Sequence, residues 1–450
     1  MKKIYCYISS VLCGITLLTC SACSATPTVA KGSNDVPEQS PVVPIDAEKG
    51  TTDPAENIQM LIPNTIDYAA GAQTDDGYYY IEPNQNDYLT GQIRYIDYAS
   101  AVNIPLSAQA NSEHTTEADT SYLDSIIGDY RMFLWGEKIY YIRAGASSYI
   151  ESSDFGDLAA SAVYSMDKDG SNRKLIYQGN SSGDLLMYAV GWDNTLCFMR
   201  QTISNYEIFS ISTSGGDEHV LSTFPIDVSA QVMGCIGCNI YFLNISTDEN
   251  VTDEYGSYGL RYTIKALNVD TDEMIDVMDI PQDGTLPVQP FISGEHIYLC
   301  HLGSTRKIDA YDANGTLQSS ISLSAVMPEN VQAYVGRGPN LIGTTYIIPC
   351  CDTQTKLCFN ILVDVNTQEI NSSSIQYTQS DGKDTLSAQI IAESPTDYLA
   401  ITAVNYVDAE MPQGDGTSIT VQNSRYTYEL IPKDEFCSDS YASRTVQWVD

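Results

Sequence analysis

An all-β fold is predicted for this 450-residue chain on three observations. The first is a recurring phrase, a small turn followed by Ile-Tyr-type residues. It reads DGYYYI at 76–81, WGEKIYYI at 135–142, WDNTLCFM at 192–199, IGCNIYFL at 236–243 and SGEHIYLC at 293–300. GPNLIGTTYII at 338–348 and PTDYLAI at 395–401 are weaker copies. The second is a companion phrase after each copy, made of an alternating strand, a polar turn and another strand, as in VYSMDKDGSNRKLIY at 163–177 and KIDAYDANGTLQSSI at 307–321. The third is a near absence of sustained helical periodicity, the only helix-like stretch being a short one around 154–162. From Asp76 to Thr396 the copies recur about every 53 residues, a propeller-type period. Four-stranded meanders of that size cannot bury both faces alone, and radial stacking solves this. Seven copies predict a seven-bladed β-propeller, with six or eight blades left open because the first and last copies are the least regular.

Within each repeat, strand A leads into the small turn, strand B is the Ile-Tyr phrase, and strands C and D form the second phrase. Asp169-Gly170 and Asn314-Gly315 suit C–D hairpin turns because these residue types tolerate positive φ. Tyr outnumbers Phe by 32 to nine, which fits half-wet strands whose hydroxyls reach water at blade edges.

The N-terminus reads as an export signal. Lys2 and Lys3 precede an apolar stretch from Ile4 to Cys20 that is too short for a lasting membrane span. Ser21-Ala22-Cys23 resembles a bacterial lipobox, which makes Cys23 the expected lipid attachment site, with Cys20 standing where Leu is usual. Simple secretion with ordinary cleavage is the other reading. Residues 24–57 are rich in Pro, Ser, Thr and charge and read as a tether. The expected organisation is a lipoprotein signal peptide over 1–22, a disordered tether over 23–60, and a propeller over 61–450. The chain would then sit lipid-anchored on the extracytoplasmic side of the cell membrane.

A net charge of −36 repels phosphate backbones and argues against a nucleic-acid partner. Of twelve cysteines, eight lie beyond the export segment: Cys197, Cys235, Cys238, Cys300, Cys350, Cys351, Cys358 and Cys437. Their spacing is not that of a small disulfide scaffold, and several fall in apolar strand-like runs where Cys packs as a small hydrophobe. Cys350-Cys351 reads as packing, and the thiol state of the set is left open.

The pair GEKIYYI and VYSMDKDGSNRKLIY resembles a broad class of tethered bacterial propeller proteins of unknown function. That class is similar to the propeller modules of low-density-lipoprotein receptors and to periplasmic TolB-type propellers. The resemblance runs over roughly 65–436 and implies a fold without implying a ligand. The segment at 105–123 resembles a first-blade stretch that carries several cysteines near a histidine in such proteins. Here Ser107 and Ser112 stand in their place and only His114 remains, so no disulfide or metal role carries over.

Motifs with chemical promise are few. GNSSG at 179–183 matches G-x-S-x-G around Ser181, but a nucleophile elbow needs a strand before it and a helix after it, and the context is a polar loop between strands. Cys235 and Cys238 have C-x-x-C spacing without two further zinc ligands or a helix N-terminus, so a local disulfide or two free thiols is expected. Asp167-Lys168-Asp169-Gly170-Ser171 begins like a calcium loop and lacks the later ligands. His114, His219, His296 and His301 show no convergent catalytic set. No catalytic, cofactor or metal residue is therefore assigned.

The longest insertions, at 82–92, 143–162, 244–261 and 405–424, all fall between strands B and C, so they should emerge on one face. The expected function is a non-catalytic binding or interaction module for a protein or glycan on that face. The alternative is a propeller-type carbohydrate-active enzyme, a hydrolase or lyase, using carboxylates near the central channel. A solute-binding lipoprotein would share the anchor but needs two α/β lobes, which the strand repeats oppose.

Overall fold

The computed structural model describes residues 58–62 and 71–449, apart from 85–89, 108–113, 146–159, 253–257, 282–287, 335–340, 380–384, 413–416 and a few shorter breaks. The strands form seven sheets, one per repeat, and the fold is a seven-bladed β-propeller. Strands A to D of blade 1 are Ala72–Gln73, Gly77–Pro83, Gly91–Asp97 and Val102–Pro105. Those of blade 2 are Tyr130–Trp135, Lys138–Arg143, Ala160–Asp167 and Lys174–Ser182. Blade 3 uses Leu185–Trp192, Thr195–Gln201, Asn205–Ser212 and His219–Pro225. Blade 4 uses Ser229–Ile236, Asn239–Thr252, Tyr258–Asn268 and Glu273–Asp279. Blade 5 uses Gln289–Ser293, His296–His301, Lys307–Tyr311 and Leu317–Ser322.

In blade 6, strand A is split into Val331–Ala333 and Leu341–Ile342, ahead of Thr345–Asp352, Cys358–Asp364 and Ile370–Ser373. Blade 7 has Gln389–Glu393, Asp397–Pro412, Ser418–Pro432 and a short outer strand, Arg444–Thr445. Its last hairpin is irregular, because strand C runs on to Pro432 and strand D comes only after a turn of some ten residues. The stretch read as helix-like ends in strand C of blade 2, which starts at Ala160, and 154–159 lie outside the described residues.

The Ile-Tyr phrases are continuous apolar runs because strand B is covered on both faces. In blade 1, Tyr78 and Tyr80 pack toward blade 7, while Tyr79 and Ile81 pack toward blade 2. The same alternation holds around the ring and yields one apolar cluster per interface. Phe133 meets Phe198 between blades 2 and 3, Phe242 meets Val190 between 3 and 4, and Leu243 meets Ile297 between 4 and 5. Phe291 stacks on Tyr346 between 5 and 6, and Ile347 shares a cluster with Tyr398 between 6 and 7. Tyr80 and Tyr428 complete the circle between 7 and 1. Outer strands are wetter, as in Glu273–Asp279, where most side chains are exposed.

The C–D turns repeat for a reason of backbone geometry. In blades 1, 4 and 6 the last residue of strand C, and in blade 5 the one just beyond it, turns its side-chain oxygen onto the following N–H groups. Asp312 Oδ1 accepts from the N–H of Asn314 and Thr316, Asp364 Oδ1 from Asn366 and Thr367, and Asn268 Oδ1 from Asp270 and Thr271. Asp97 does the same for Ser100. Gly170 and Gly315 close two of these turns at φ +83° and +79°, in the left-handed region.

Both ends of the described chain are built into the ring. An entry strand, Gln59–Ile62, pairs antiparallel with the inner strand of blade 3, on the channel side of that sheet. It thus begins within the segment read as tether, two residues before the expected boundary at 61. Its seat explains why: Ile62 is only 1 % exposed among Phe133 and Phe198, and Ile58 and Met60 pack on the cluster between blades 3 and 4. Leu61 lies over Gly191, where a Cβ would stand 2.8 Å from it and 3.0 Å from the Trp135 ring. At the other end, a closing strand, Gln447–Trp448, adds in parallel to the outer strand of blade 1.

The tyrosines divide: Tyr95, Tyr164, Tyr262 and Tyr311 keep the half-wet role expected of them, and others are buried. Tyr78, Tyr80, Tyr241 and Tyr428 are buried, and their hydroxyls or those of neighbours pin chain segments together. Asn103 Nδ2 donates to Tyr80 Oη at 2.7 Å, Gly71 N to Tyr78 Oη at 2.9 Å, and Tyr241 Oη to the Ala313 carbonyl at 3.2 Å. Substituting Tyr80→Phe leaves the buried Asn103 amide short of an acceptor. A loss of about 1–2 kcal/mol is expected, read as a lowered urea midpoint with unchanged slope.

Candidate functional site: the B–C rim

All four long insertions lie between strands B and C, so they share one rim with the D–A connections. Two of them are not loops. Strands B and C of blade 4 pair out to Thr252 and Tyr258, and those of blade 7 out to Pro412 and Ser418, which makes two hairpin arms. Within the other two insertions, 85–89 and 146–159 lie outside the described residues.

Beneath this rim the apolar run of strand B in blades 1 to 5 ends in a polar residue, one position after the Ile-Tyr phrase. Glu82, Arg143, Arg200, Asn244 and His301 occupy it, all buried, and the strand register sets Cys350 at the same level in blade 6, two positions after its phrase. By strand parity each faces the preceding blade. A buried charge must be paired or bonded, and the neighbours supply this. Arg200 bonds Glu207, Glu218 at 3.0 Å and the Tyr177 hydroxyl of blade 2 at 2.8 Å, over the Phe209 ring. Arg143 Nε donates to the Ala160 carbonyl at 3.0 Å. His301 Nε2 lies 3.3 Å from Asp309, which also holds Lys307 at 2.6 Å and the Ser320 hydroxyl.

Glu82 is the exception. It is 9 % exposed, and no hydrogen bond reaches its carboxyl from the described residues. Burial pushes that carboxyl up to about 8, against the opposing pull of Arg94 and then Arg425. Arg94 is occupied elsewhere, donating to Asn103 Oδ1, Gln92 Oε1 and the carbonyls of Asn103 and Val449.

The segment with Ser107 and His114 folds around Asp119. Asp119 Oδ2 accepts from the Ser107 hydroxyl at 2.7 Å and sits 3.0 Å from His114 Nδ1, while Oδ1 accepts from the Ser121 hydroxyl at 2.6 Å and its N–H at 2.7 Å. The residue types are those of a Ser-His-Asp triad, but the geometry is not. Ser121 Oγ approaches His114 at 3.4 Å on Nδ1, the same nitrogen that meets the carboxylate. The arrangement is a carboxylate-centred knot that fixes the D–A connection of blade 1. Arg173 reinforces it from blade 2 through the Tyr122 carbonyl at 2.9 Å and the Thr120 carbonyl.

Ser181 falls inside strand D of blade 2, Lys174–Ser182, and not in a loop between strands, because the pairing with strand C persists to Ser182↔Ala160. Asp167 and Asp169 cap their C–D turn: Asp169 Oδ1 accepts from Ser171 N at 2.9 Å, and Asp167 bonds Lys138 and Asn172. Cys235 and Cys238 are free thiols; Cys235 packs on the cluster between blades 3 and 4, and burial pushes its thiol up to about 12. The reading of Cys350-Cys351 as packing holds for Cys350 alone. Cys351 is disulfide-bonded to Cys358, its direct partner across the B–C hairpin of blade 6. His219 and His296 are turn-flanking residues, near Asp272 at 3.7 Å and Tyr298 respectively. Among the described residues no group of three or more His, Cys, Asp or Glu is arranged to hold a metal ion. Cys23 lies outside the described residues.

No protein-family model matches this chain, and no curated protein sequence matches it. Solved structures do. The chain is similar to the β-propeller domain of the Trilobed protease from Pyrococcus furiosus, at 9% identity and a TM-score of 0.43 over 87% of this chain and 98% of that one. It is similar to Saccharomyces cerevisiae Sqt1 at 10% identity and a TM-score of 0.39, over 83% and 94% of the two chains. An oligogalacturonate lyase from Vibrio parahaemolyticus is also similar, at 9% identity and a TM-score of 0.37, over 71% and 85%. At such identities these likenesses concern the propeller fold alone and carry no function across.

Proposed function

We propose that this chain is a non-catalytic binding or interaction module, anchored by a lipid at Cys23 on the extracytoplasmic side of the cell membrane, which meets a protein or glycan through its B–C rim. The observation that carries the reading is the pair of hairpin arms. They extend strands B and C beyond the blade neighbours that would cover them, and they expose Tyr406, Ile419 and Leu260. Bare apolar and aromatic side chains on projecting elements serve contact with a partner better than they serve the fold. The entry strand supports the same reading against a carbohydrate-active enzyme. It occupies the channel side of blade 3 and so covers part of the channel wall on which such an enzyme would display its carboxylates.

The test is a glycan-array and cell-surface pull-down screen with the chain lacking residues 1–57, run alongside a product assay on every glycan bound. Binding without product is expected. Release of shortened or unsaturated sugars would replace the binding module with the enzyme. Metabolic labelling with a fatty-acid probe, lost on Cys23→Ser, tests the anchor separately.

A further inference from the structure

The arm of blade 7 has an uncommon pattern. Its register places Tyr406, Asp408 and Glu410 opposite Ser424, Gln422 and Thr420, and Val407, Ala409 and Met411 opposite Asn423, Val421 and Ile419. Among the side chains described, one face of the ribbon therefore carries carboxylates, hydroxyls and an amide beside Tyr406, and the other carries Val407, Val421 and Ile419 with Asn423, which is buried at the base of the arm and donates to the Asn84 carbonyl at 3.1 Å. Glu410 accepts from the hydroxyls of Ser418 at 2.6 Å and Thr420 at 3.1 Å, so its carboxylate is held in place. Neither Asp408 nor Glu410 has a cationic partner among the described residues. Ile419 is 44% exposed and Tyr406 40%.

The ribbon's edges are open as well. Among the described residues, Gln389–Glu393 pairs with strand B only as far as Ile401, Gln376–Thr378 touches it at Ala403, and Arg444–Thr445 meets strand C at Glu429 and Leu430. A two-stranded ribbon is marginal in water, and natural edges are usually blunted by Lys, Pro or a bulge. Here 404–411 and 418–424 contain no Lys and no Pro, and the register runs unbroken from Ala403 to Pro412.

We propose that the blade 7 arm is a strand-addition site for an extended polypeptide whose side chains alternate apolar and basic. Backbone groups of such a segment complete the open ladder. Its apolar side chains continue the face of Val407 and Val421, and its basic ones pair with Asp408 and Glu410. A chain with 58 acidic and 22 basic residues selects a basic partner on charge alone, and the alternation adds the geometric demand. This inference rests on the binding-module reading and names the class of partner. The blade 4 arm is a built-in comparison. Its register, Ser246↔Arg261, Thr247↔Leu260 and Asp248↔Gly259, lacks the alternation, and Arg261 is already neutralised by Asp279 at 2.9 Å.

The test uses the full chain and two capped octapeptides of identical composition, one alternating Val and Lys, the other with four Val followed by four Lys. At about 0.15 M salt, fluorescence anisotropy should show the alternating peptide binding about tenfold tighter. Hydrogen exchange should slow across 404–424 and stay unchanged across 244–261. The surface double variant Asp408→Asn/Glu410→Gln should lose most of that preference, and Val407→Thr/Val421→Thr, which keeps charge and strand propensity, should lose part of it. Equal affinity for both peptides, or protection at the C–D turns or the blade 4 arm, would overturn the strand-addition site. A glycan captured on this rim with no protection of 404–424 by peptide would also overturn it while leaving the binding-module reading intact. Sugar turnover in the screen would remove that reading, and the peptide result would stand on its own protection map.

Discussion

Substituting Trp448→Ala is expected to open the ring between blades 7 and 1, at a cost of about 3 kcal/mol. The closing segment joins two blades that no covalent hairpin connects. Val446 N donates to the Tyr428 carbonyl of blade 7 at 2.9 Å, and Gln447 N and Val449 N donate to the Ala101 and Asn103 carbonyls of blade 1, both at 2.9 Å. Trp448 lies under two guanidinium groups, Arg94 at 4.7 Å and Arg425 at 4.5 Å from the ring centroid, and packs on the cluster that holds Tyr80 and Tyr428. Truncation removes half-buried aromatic area and both cation–π contacts together. The measurement is residue-resolved hydrogen exchange. Protection should fall first in Gly77–Pro83 and Asp397–Pro412, while blades 3 to 5 hold. Trp448→Phe should keep most of it. A uniform loss over all blades would mean that the tail contributes stability without acting as the clasp.

The residues divide by how far their partners lie along the chain. The Ile-Tyr runs and Asp-Gly turns are legible in the sequence because their causes are local: two-sided burial selects an apolar run, and a side-chain cap with a left-handed residue selects the turn. The polar position after each run, from Glu82 to His301, carries the same signal and could have been read by aligning the copies. The blade 7 arm was open to the same treatment. The alternation in VDAEM and ITV is a strand pattern, and the polar tip between them makes it resemble a loop. Cys351 and Cys358 flank a turn of six residues, so an antiparallel hairpin sets them opposite each other; strand register, and not cysteine spacing, is the informative quantity. The entry and closing strands have no such signal. Gln59–Ile62 finds its partner some 130 residues away, and Gln447–Trp448 more than 340 away. Four or two residues beside Pro- and Ser-rich neighbours say nothing about so distant an edge. The knot at Asp119 is intermediate, since Ser107 and His114 were visible while the carboxylate that joins them was one of many.

Glu82→Gln should make the protein more stable at alkaline pH and leave it unchanged in acid. Glu82 is carried by a strand whose neighbouring residues are apolar on both faces, and it stands at the one interface that the chain closes with its own tail. Its carboxyl is raised from 4.5 to about 8 in the fold. The folded state therefore holds a proton that the unfolded chain has released between those values. For a raised acid the linkage runs opposite to the usual carboxylate: its favourable contribution is complete below about pH 4.5 and is lost as pH climbs toward 8. At 1.36 kcal/mol per pH unit the whole interval, which already includes the pull of Arg94 and Arg425, amounts to about 5 kcal/mol, an upper bound because relaxation and water entry ease the ionisation of a buried carboxyl. Glutamine has the shape of the protonated acid and does not titrate. Parent and variant should then unfold alike in urea at pH 4.5 and diverge progressively to pH 9, with the variant the more stable by several kcal/mol. A flat difference across that range would show that the two arginines already hold Glu82 as a carboxylate. In that case Glu82→Gln should destabilise at every pH above 5, because it would strip the buried Arg94 and the half-buried Arg425 of a counter-charge.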